Sequence, residues 1–286
     1  MTVPETPDGA TVERRRKTDR RPDVVRIAAV GDFHCGEEDV GKYRKLFERV
    51  NEEADLLLLA GDLTRRGTPP EIKVVLGELV DVRIPILAVL GNHDHESGRV
   101  EEAMAALRER VTLLDAEPYK LNEFVGVAGV KGFMGGFGRW TLTAFGEAAT
   151  KEFVGATIEE AQTLEFALRR LDTPIRIVLL HYSPTLDTVM GEPETIHPFL
   201  GNDRLAEPID RFGATVVFHG HAHHGTFRGK TAGGVPVFNV SLSLIRQEKE
   251  GEMYFLYEIP IPRDAEPDPP ATMEPAPATS GAPESA

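Results

Sequence analysis

The sequence predicts an α/β fold with helices packed on sheets. Three observations carry that expectation. Short apolar runs at 24–30, 55–60, 84–90, 175–180 and 215–218 have the length and composition of buried strands. Helical apolar spacing fills the stretches between them. Two later runs, at about 235–240 and 253–259, follow each other with no helical pattern read between them, which suggests a second, more antiparallel sheet.

In chain order, Val24–Val30 opens the fold as a strand. A helix follows, with an apolar stripe of Tyr43, Leu46, Phe47 and Val50. Asp55–Ala60 is the next strand. Pro69 and Pro70 suit the first turn of a second helix running to about Val82. Ile84–Leu90 is a third strand, and Val100–Arg110, Ile158–Leu171 and Arg204–Phe212 read as further helices. Residues 131–155, "KGFMGGFGRWTLTAFGEAATKEFVG", read as one long glycine-rich loop carrying Phe133, Phe137, Trp140 and Phe145.

The 286 residues fit one large domain or two small ones, and 41% hydrophobic residues suffice for a soluble core. The core reads as 24–262. Residues 1–23 contain "ERRRKTDRR" but also Glu5, Asp8, Glu13, Asp19 and Asp23, so this tail is nearly neutral and reads as disordered. Residues 263–286 are rich in Pro, Ala and Glu and read as a second disordered tail.

A net charge of −14 argues against a broad grip on nucleic acid or an anionic membrane. It leaves room for a phosphate substrate held by metal ions, which bring their own positive charge. Cys35 is the only cysteine, so no intrachain disulfide forms. No apolar run reaches the ~18 residues of a membrane span, and no signal-like apolar stretch precedes the first charged cluster. The expectation is a soluble, cytoplasmic protein, with the oligomeric state, a dimer included, left open.

The informative feature is where acids, histidines and an asparagine fall. "VGDFHCG" after the first strand carries Asp32 and His34, and "LAGDLTRRG" after the second carries Asp62. "VLGNHD" after the third carries Asn92, His93 and Asp94. "LLHYSP" after the fourth carries His181, and "FHGHAHHG" after the fifth carries His221 and His223. Sites in open α/β sheets gather at the carboxyl ends of strands, so five loops can converge. Asp32 and His34 are two apart, as are His221 and His223, so in extended backbone each pair can point one way. Gly31, Gly61, Gly91 and Gly220 each precede a candidate ligand and allow close approach to it. Carboxylate, amide and imidazole donors without thiolate suit Mn²⁺, Fe or Zn²⁺ rather than a closed structural zinc site.

With its blocks D-x-H, G-D, G-N-H-D, a lone His and G-H-x-H in that order across residues 32–223, the chain resembles the calcineurin-like metallophosphoesterases. "GDLTRRG" is similar to the second block of the class III cyclic-nucleotide phosphodiesterases in that superfamily. The resemblance implies a two-layer β-sandwich flanked by α-helices, with a dinuclear metal centre. Asp32, His34 and His223 would hold one ion, Asn92, His181 and His221 the other, and Asp62 would bridge them. His93 would face the substrate, with Asp94 accepting its other N–H. A hydroxide shared by the two ions would attack phosphorus in line, and His93 would stabilise the equatorial oxygens or protonate the leaving alkoxide. Cys35 is then a small residue wedged behind His34, not a nucleophile. His219 and His224 read as polar neighbours on the rim. His95 and His197 match no block, although the loop holding His197 can reach the site.

The expected function is hydrolysis of a small-molecule phosphodiester such as a cyclic nucleotide. Phosphomonoesters and nucleotide pyrophosphates are alternatives, and a non-catalytic protein-binding scaffold is the alternative of another class. Phe137 and Trp140 are the candidate substrate contacts, set against a flap that packs its own aromatics on the core. The phosphate-cradling P-loop pattern is absent from the sequence.

Overall fold

A computed structural model describes residues 23–261, apart from the side chains of residues 45 and 46. The two predicted tails therefore fall outside the described residues, except for Asp23, and so does the side chain of Leu46 in the first apolar stripe.

The chain runs β1 (Val24–Val30), α1 (Arg44–Glu53), β2 (Leu56–Ala60), α2 (Pro69–Glu78), β3 (Ile86–Val89), α3 (Asn92–His95), α4 (Val100–Leu107) and β4 (Thr112–Leu113). It continues through β5 (Tyr119–Lys120), β6 (Val125–Val130), α5 (Ala148–Arg169), β7 (Ile175–Leu180), α6 (His197–Leu200), α7 (Ala206–Arg211) and β8 (Val216–His219). It closes with β9 (Arg228–Lys230), β10 (Pro236–Asn239), α8 (Leu242–Glu248) and β11 (Phe255–Pro260). The strands make two mixed sheets, ordered β11-β1-β2-β3-β4 and β5-β6-β7-β8-β10-β9.

The sheets face each other across one core. Ile27, Leu58 and Leu87 from the first meet Val127, Ile177, Leu179 and Phe218 from the second, all in one buried cluster. The alternate residues of the second sheet, Ala128, Val178, Leu180 and Val217, turn the other way onto Leu164 and Leu168 of α5 and Ile209 of α7. Both faces of these strands are thus buried, which is why they read as unbroken apolar runs. Helices α1, α2 and α4 cover the outer face of the first sheet with Phe47, Val75, Leu79 and Leu107. Helix α2 starts where its prolines place it, and Glu71 reaches back to accept the Thr68 N–H at 3.2 Å.

Three expectations need correction. The late strands do not form a second antiparallel sheet. β10 runs parallel to β8 in the second sheet, β11 runs antiparallel to β1 at the edge of the first, and α8 lies between them. Strand β6, "VGVAGV", went unread because two glycines hid it. A Cβ on Gly129 would lie 2.7 Å from the Leu179 carbonyl and 2.8 Å from Leu114, so only glycine lets those elements close. The loop expected over 131–155 ends at residue 147, because α5 begins ten residues before the predicted Ile158 and carries Gly155 within it.

Strands β1, β2, β3, β7 and β8 end on one side of the sandwich. The segment after β10 ties the two sheets together there. Gly31 N–H donates to the Val240 carbonyl at 2.8 Å, and Val240 N–H donates to the His219 carbonyl at 2.7 Å.

Candidate metal centre

All seven predicted ligands meet at these strand ends. Asp32, His34, Asp62 and His223 form one group whose donor atoms lie within 4.8 Å of one another, and Asp62, His181 and His221 form a second. Asp62 belongs to both. Asn92 joins the second group, its Oδ1 lying 3.0 Å from His181 Nε2.

The backbone does this by a route that differs from the expected strand alternation. Asp32, His34, Asp62 and His221 have φ of 57°, 42°, 49° and 72°, and they are the non-glycine residues with positive φ among the described residues. Each left-handed residue costs about 1–2 kcal/mol, so the strain sits where the side chains converge. The pairs two apart in sequence therefore converge through turned backbone and not through the pleat of a strand. Close approach between loops adds to the effect. A Cβ on Gly91 would sit 2.1 Å from Asp62 Oδ1, and one on Gly220 would sit 2.2 Å from Asp32 Oδ2.

Backbone groups then aim the side chains. His221 N–H lies 3.0 Å from each oxygen of Asp32, and His93 N–H donates to Asp62 Oδ1 at 2.8 Å. His181 Nδ1–H donates to the Ala60 carbonyl at 2.9 Å, which leaves Nε2 as a bare lone pair facing Asp62 and Asn92. His221 Nε2 donates to the Phe199 carbonyl at 3.2 Å, so Nδ1 carries its free lone pair.

The donor set suits a cation. Burial, with the charges of Asp32 and Asp94, pushes the Asp62 carboxyl up to about 9. Burial holds His34 near 4 and His221 near 3, and holds His181 well below its ordinary value, so all three keep neutral imidazoles. The hydrogen bond with Asp32 raises His223. His34 Nε2 faces His223 Nε2 at 3.4 Å. Crowded carboxylates beside bare imidazole nitrogens are what a divalent ion would neutralise and bind. Oxygen and imidazole donors without sulfur fit Mn²⁺, Fe or Zn²⁺.

Asp94 corrects a further expectation. It does not accept from the His93 ring, whose Nδ1 instead donates to the Arg65 carbonyl at 2.8 Å. The Asp94 carboxylate is fully buried and takes Leu63 N–H (3.2 Å), Thr64 N–H (2.9 Å), Thr64 Oγ1 (2.7 Å) and Gly91 N–H (2.9 Å). It clamps the loop of Asp62 to the loop of Asn92. His93 itself is half-buried, its ring 4.5 Å from that of His34.

His219 is not on the rim. It is wholly buried, with Nδ1–H donating to the Gly220 carbonyl and Nε2 accepting from Thr188 Oγ1, both at 2.7 Å. His224 is exposed, and His95 and His197 join neither ligand group. Cys35 is fully buried, its thiol pushed up to about 12 by burial. Phe137 and Trp140 line a cavity of about 400 Å³ together with Leu186, Met190, His197 and Pro198. The expectation missed Leu186 and Met190, and it missed the Ala60, Arg65 and Phe199 carbonyls. Every residue carries a carbonyl, so composition gives no signal for those groups.

The sequence profile of the calcineurin-like phosphoesterase family matches residues 25–225. The chain belongs to that family of metal-dependent hydrolases acting on phosphoric ester bonds. Over 97 residues it is 27% identical to a "Probable cyclic nucleotide phosphodiesterase" of Fibrobacter succinogenes, a match covering 31% of this chain and 37% of that relative. The fold is similar to the crystal structure of Phosphopantetheinyl Hydrolase (PptH) from Mycobacterium tuberculosis, with TM-score 0.57 and 15% identity over 82% of this chain and 95% of that one. It is also similar to TT1561 of Thermus thermophilus, with TM-score 0.53 and 17% identity over 83% of this chain and 99% of that one. No helix among the described residues is long and apolar enough to cross a membrane.

Proposed function

We propose that this chain hydrolyses a small-molecule phosphodiester, such as a cyclic nucleotide, at a centre of two metal ions, with Mn²⁺, Fe or Zn²⁺ as the candidates. The sharing of Asp62 between two groups of ligand atoms carries the reading. Asp32, His34 and His223 would hold one ion, Asn92, His181 and His221 the other, and Asp62 both. Bound ions supply Lewis acidity toward the phosphoryl oxygens and lower the pKa of water to near neutrality.

The chain's own groups do the rest. The neutral imidazoles present lone pairs without first losing a proton. The peptide N–H groups of His93 and His221 fix Asp62 and Asp32, so both carboxylates keep one orientation. His93 donates through Nδ1 to the Arg65 carbonyl, which fixes its tautomer and leaves Nε2 to exchange a proton with the leaving oxygen or to steady the phosphoryl group. Buried Cys35 keeps its proton and offers no nucleophile.

The likeness to a probable cyclic nucleotide phosphodiesterase supports the diester over the monoester. The test is a panel on Mn²⁺-loaded protein that compares cyclic nucleotides, linear diesters and monoesters. Faster turnover of diesters is expected. A preference for monoesters would overturn the diester reading and leave the family assignment in place.

A further inference from the structure

We infer that the slot between Trp140 and Met190 holds a flat aromatic group, a nucleobase or an aryl ring, on one arm of the substrate. This rests on the phosphodiester reading above and specifies the arm that reading leaves undefined.

Trp140 (71% exposed), Leu142 (40%), Phe145 (85%), Leu186 (39%), Met190 (49%), Ile196 (38%) and Phe199 (54%) all come from residues 140–145 and 186–199. Three of them, Trp140, Leu186 and Met190, line one cavity, and exposed apolar surface gathered at a cavity marks a binding site. The segments are fixed to each other, since Gly135 N–H donates to the Pro198 carbonyl and Gly136 N–H to the Gly201 carbonyl, both at 2.9 Å. Gly138 N–H adds a bond to Asp203 Oδ2 at 2.7 Å. The cavity they enclose, about 400 Å³, lies in the size range of small-ligand pockets.

The cavity adjoins the candidate metal centre through neighbouring residues of one segment. Pro198 lines it, and the carbonyl of the next residue, Phe199, accepts from His221 Nε2 at 3.2 Å. In this inference the ring seated there and the phosphate at the metals are two parts of one substrate.

The wall chemistry selects a ring. The Arg139 guanidinium lies 4.6 Å over the Trp140 indole, while most of the residue stays open to solvent. Met190 supplies a polarisable thioether from the other segment. The polar lining is sparse: Glu194, and His197, whose Nε2 is bonded to the Glu192 carbonyl at 2.9 Å. Recognition here therefore works by stacking and shape and not by a hydrogen-bond array.

The chain's only tryptophan is Trp140, so the emission of the unmodified full-length protein reports on this slot without any turnover. The probes are 3′,5′-cyclic AMP, diphenyl phosphate, di-n-butyl phosphate and dimethyl phosphate. An aromatic probe should shift Trp140 emission and bind at least about tenfold tighter than either alkyl diester, the scale of one stacked ring. A preference for cyclic AMP over diphenyl phosphate assigns the slot to a nucleobase, and the reverse assigns it to an aryl group. Equal binding of dibutyl phosphate, or no shift with any probe, overturns the inference. Hydrolysis of bis(p-nitrophenyl) phosphate by the Mn²⁺-loaded protein separates the two claims. An emission shift without diester turnover removes the diesterase reading and keeps the slot, and turnover without a shift does the opposite.

Discussion

Asp62 Oδ1 accepts the backbone N–H of His93 at 2.8 Å. The carboxylate shared by both ligand groups is therefore held by the peptide of the residue whose ring is the candidate proton-transfer group. The two roles of residue 93 sit on separate atoms, and substitution separates them.

His93→Ala keeps that N–H, so it should keep the metal content of the wild type. It should lower kcat by roughly 10²–10⁴-fold, the usual worth of positioned proton transfer. The loss should shrink for a p-nitrophenolate leaving group, which needs little protonation. Metal analysis and kcat on the same preparations decide the matter. Loss of metal would make His93 a ligand, and an equal defect for good and poor leaving groups would give it the phosphoryl oxygens instead of the leaving group.

Asp94→Ala should act on stability, because it strands the buried N–H groups of Leu63, Thr64 and Gly91. Hydrogen bonds to a charged acceptor count heavily, and a loss of about 3 kcal/mol or more is expected in denaturant unfolding. Unchanged stability with a fall in kcat would instead restore a direct role on the His93 ring.

Gly91→Ala puts a methyl where Asp62 Oδ1 stands 2.1 Å away. Pushing Asp62 aside should weaken metal binding by on the order of 10–100-fold, as for disturbed supports of other metal ligands. Isothermal titration with Mn²⁺ measures it, and wild-type affinity would show that the loop yields at no cost to the site.

Burial pushes the Cys35 thiol up to about 12, above its unfolded value of 9.0. A raised folded pKa contributes stability that is complete below pH 9 and is lost as pH climbs from there toward 12. Stability should fall over that window with a shallower slope in Cys35→Ala. At about pH 8, below the ordinary thiol range, the native thiol should resist iodoacetamide until the chain unfolds. Rapid labelling of the native protein would contradict the burial.

The strand ends and their polar residues were legible in the sequence because apolar runs stopped abruptly at Asp32, Asp62, Asn92, His181 and His221. The pairing of strands was not. Residues 236–239 and 255–260 look alike as apolar runs, yet one lies parallel to β8 and the other antiparallel to β1, and pairing between strands distant in sequence leaves no mark in the run itself. Strand β6 was hidden because Gly126 and Gly129 answer to Leu171 and Leu179, neighbours distant in sequence. The residues that gather at the site were readable as side chains. Their supports were not, because the Arg65 and Phe199 carbonyls belong to the backbone. Asp94 was misread for a related reason. Adjacency to His93 suggested a partner, but one turn of α3 points its carboxylate inward to the loop of Thr64.

The most direct test is metal stoichiometry after reconstitution, measured for the wild type and for Asp62→Ala. The shared position of Asp62 predicts two ions per chain in the wild type and loss of both, with activity, in the variant. A fully active wild type with one ion or none, or an Asp62→Ala protein that keeps both, would contradict the account.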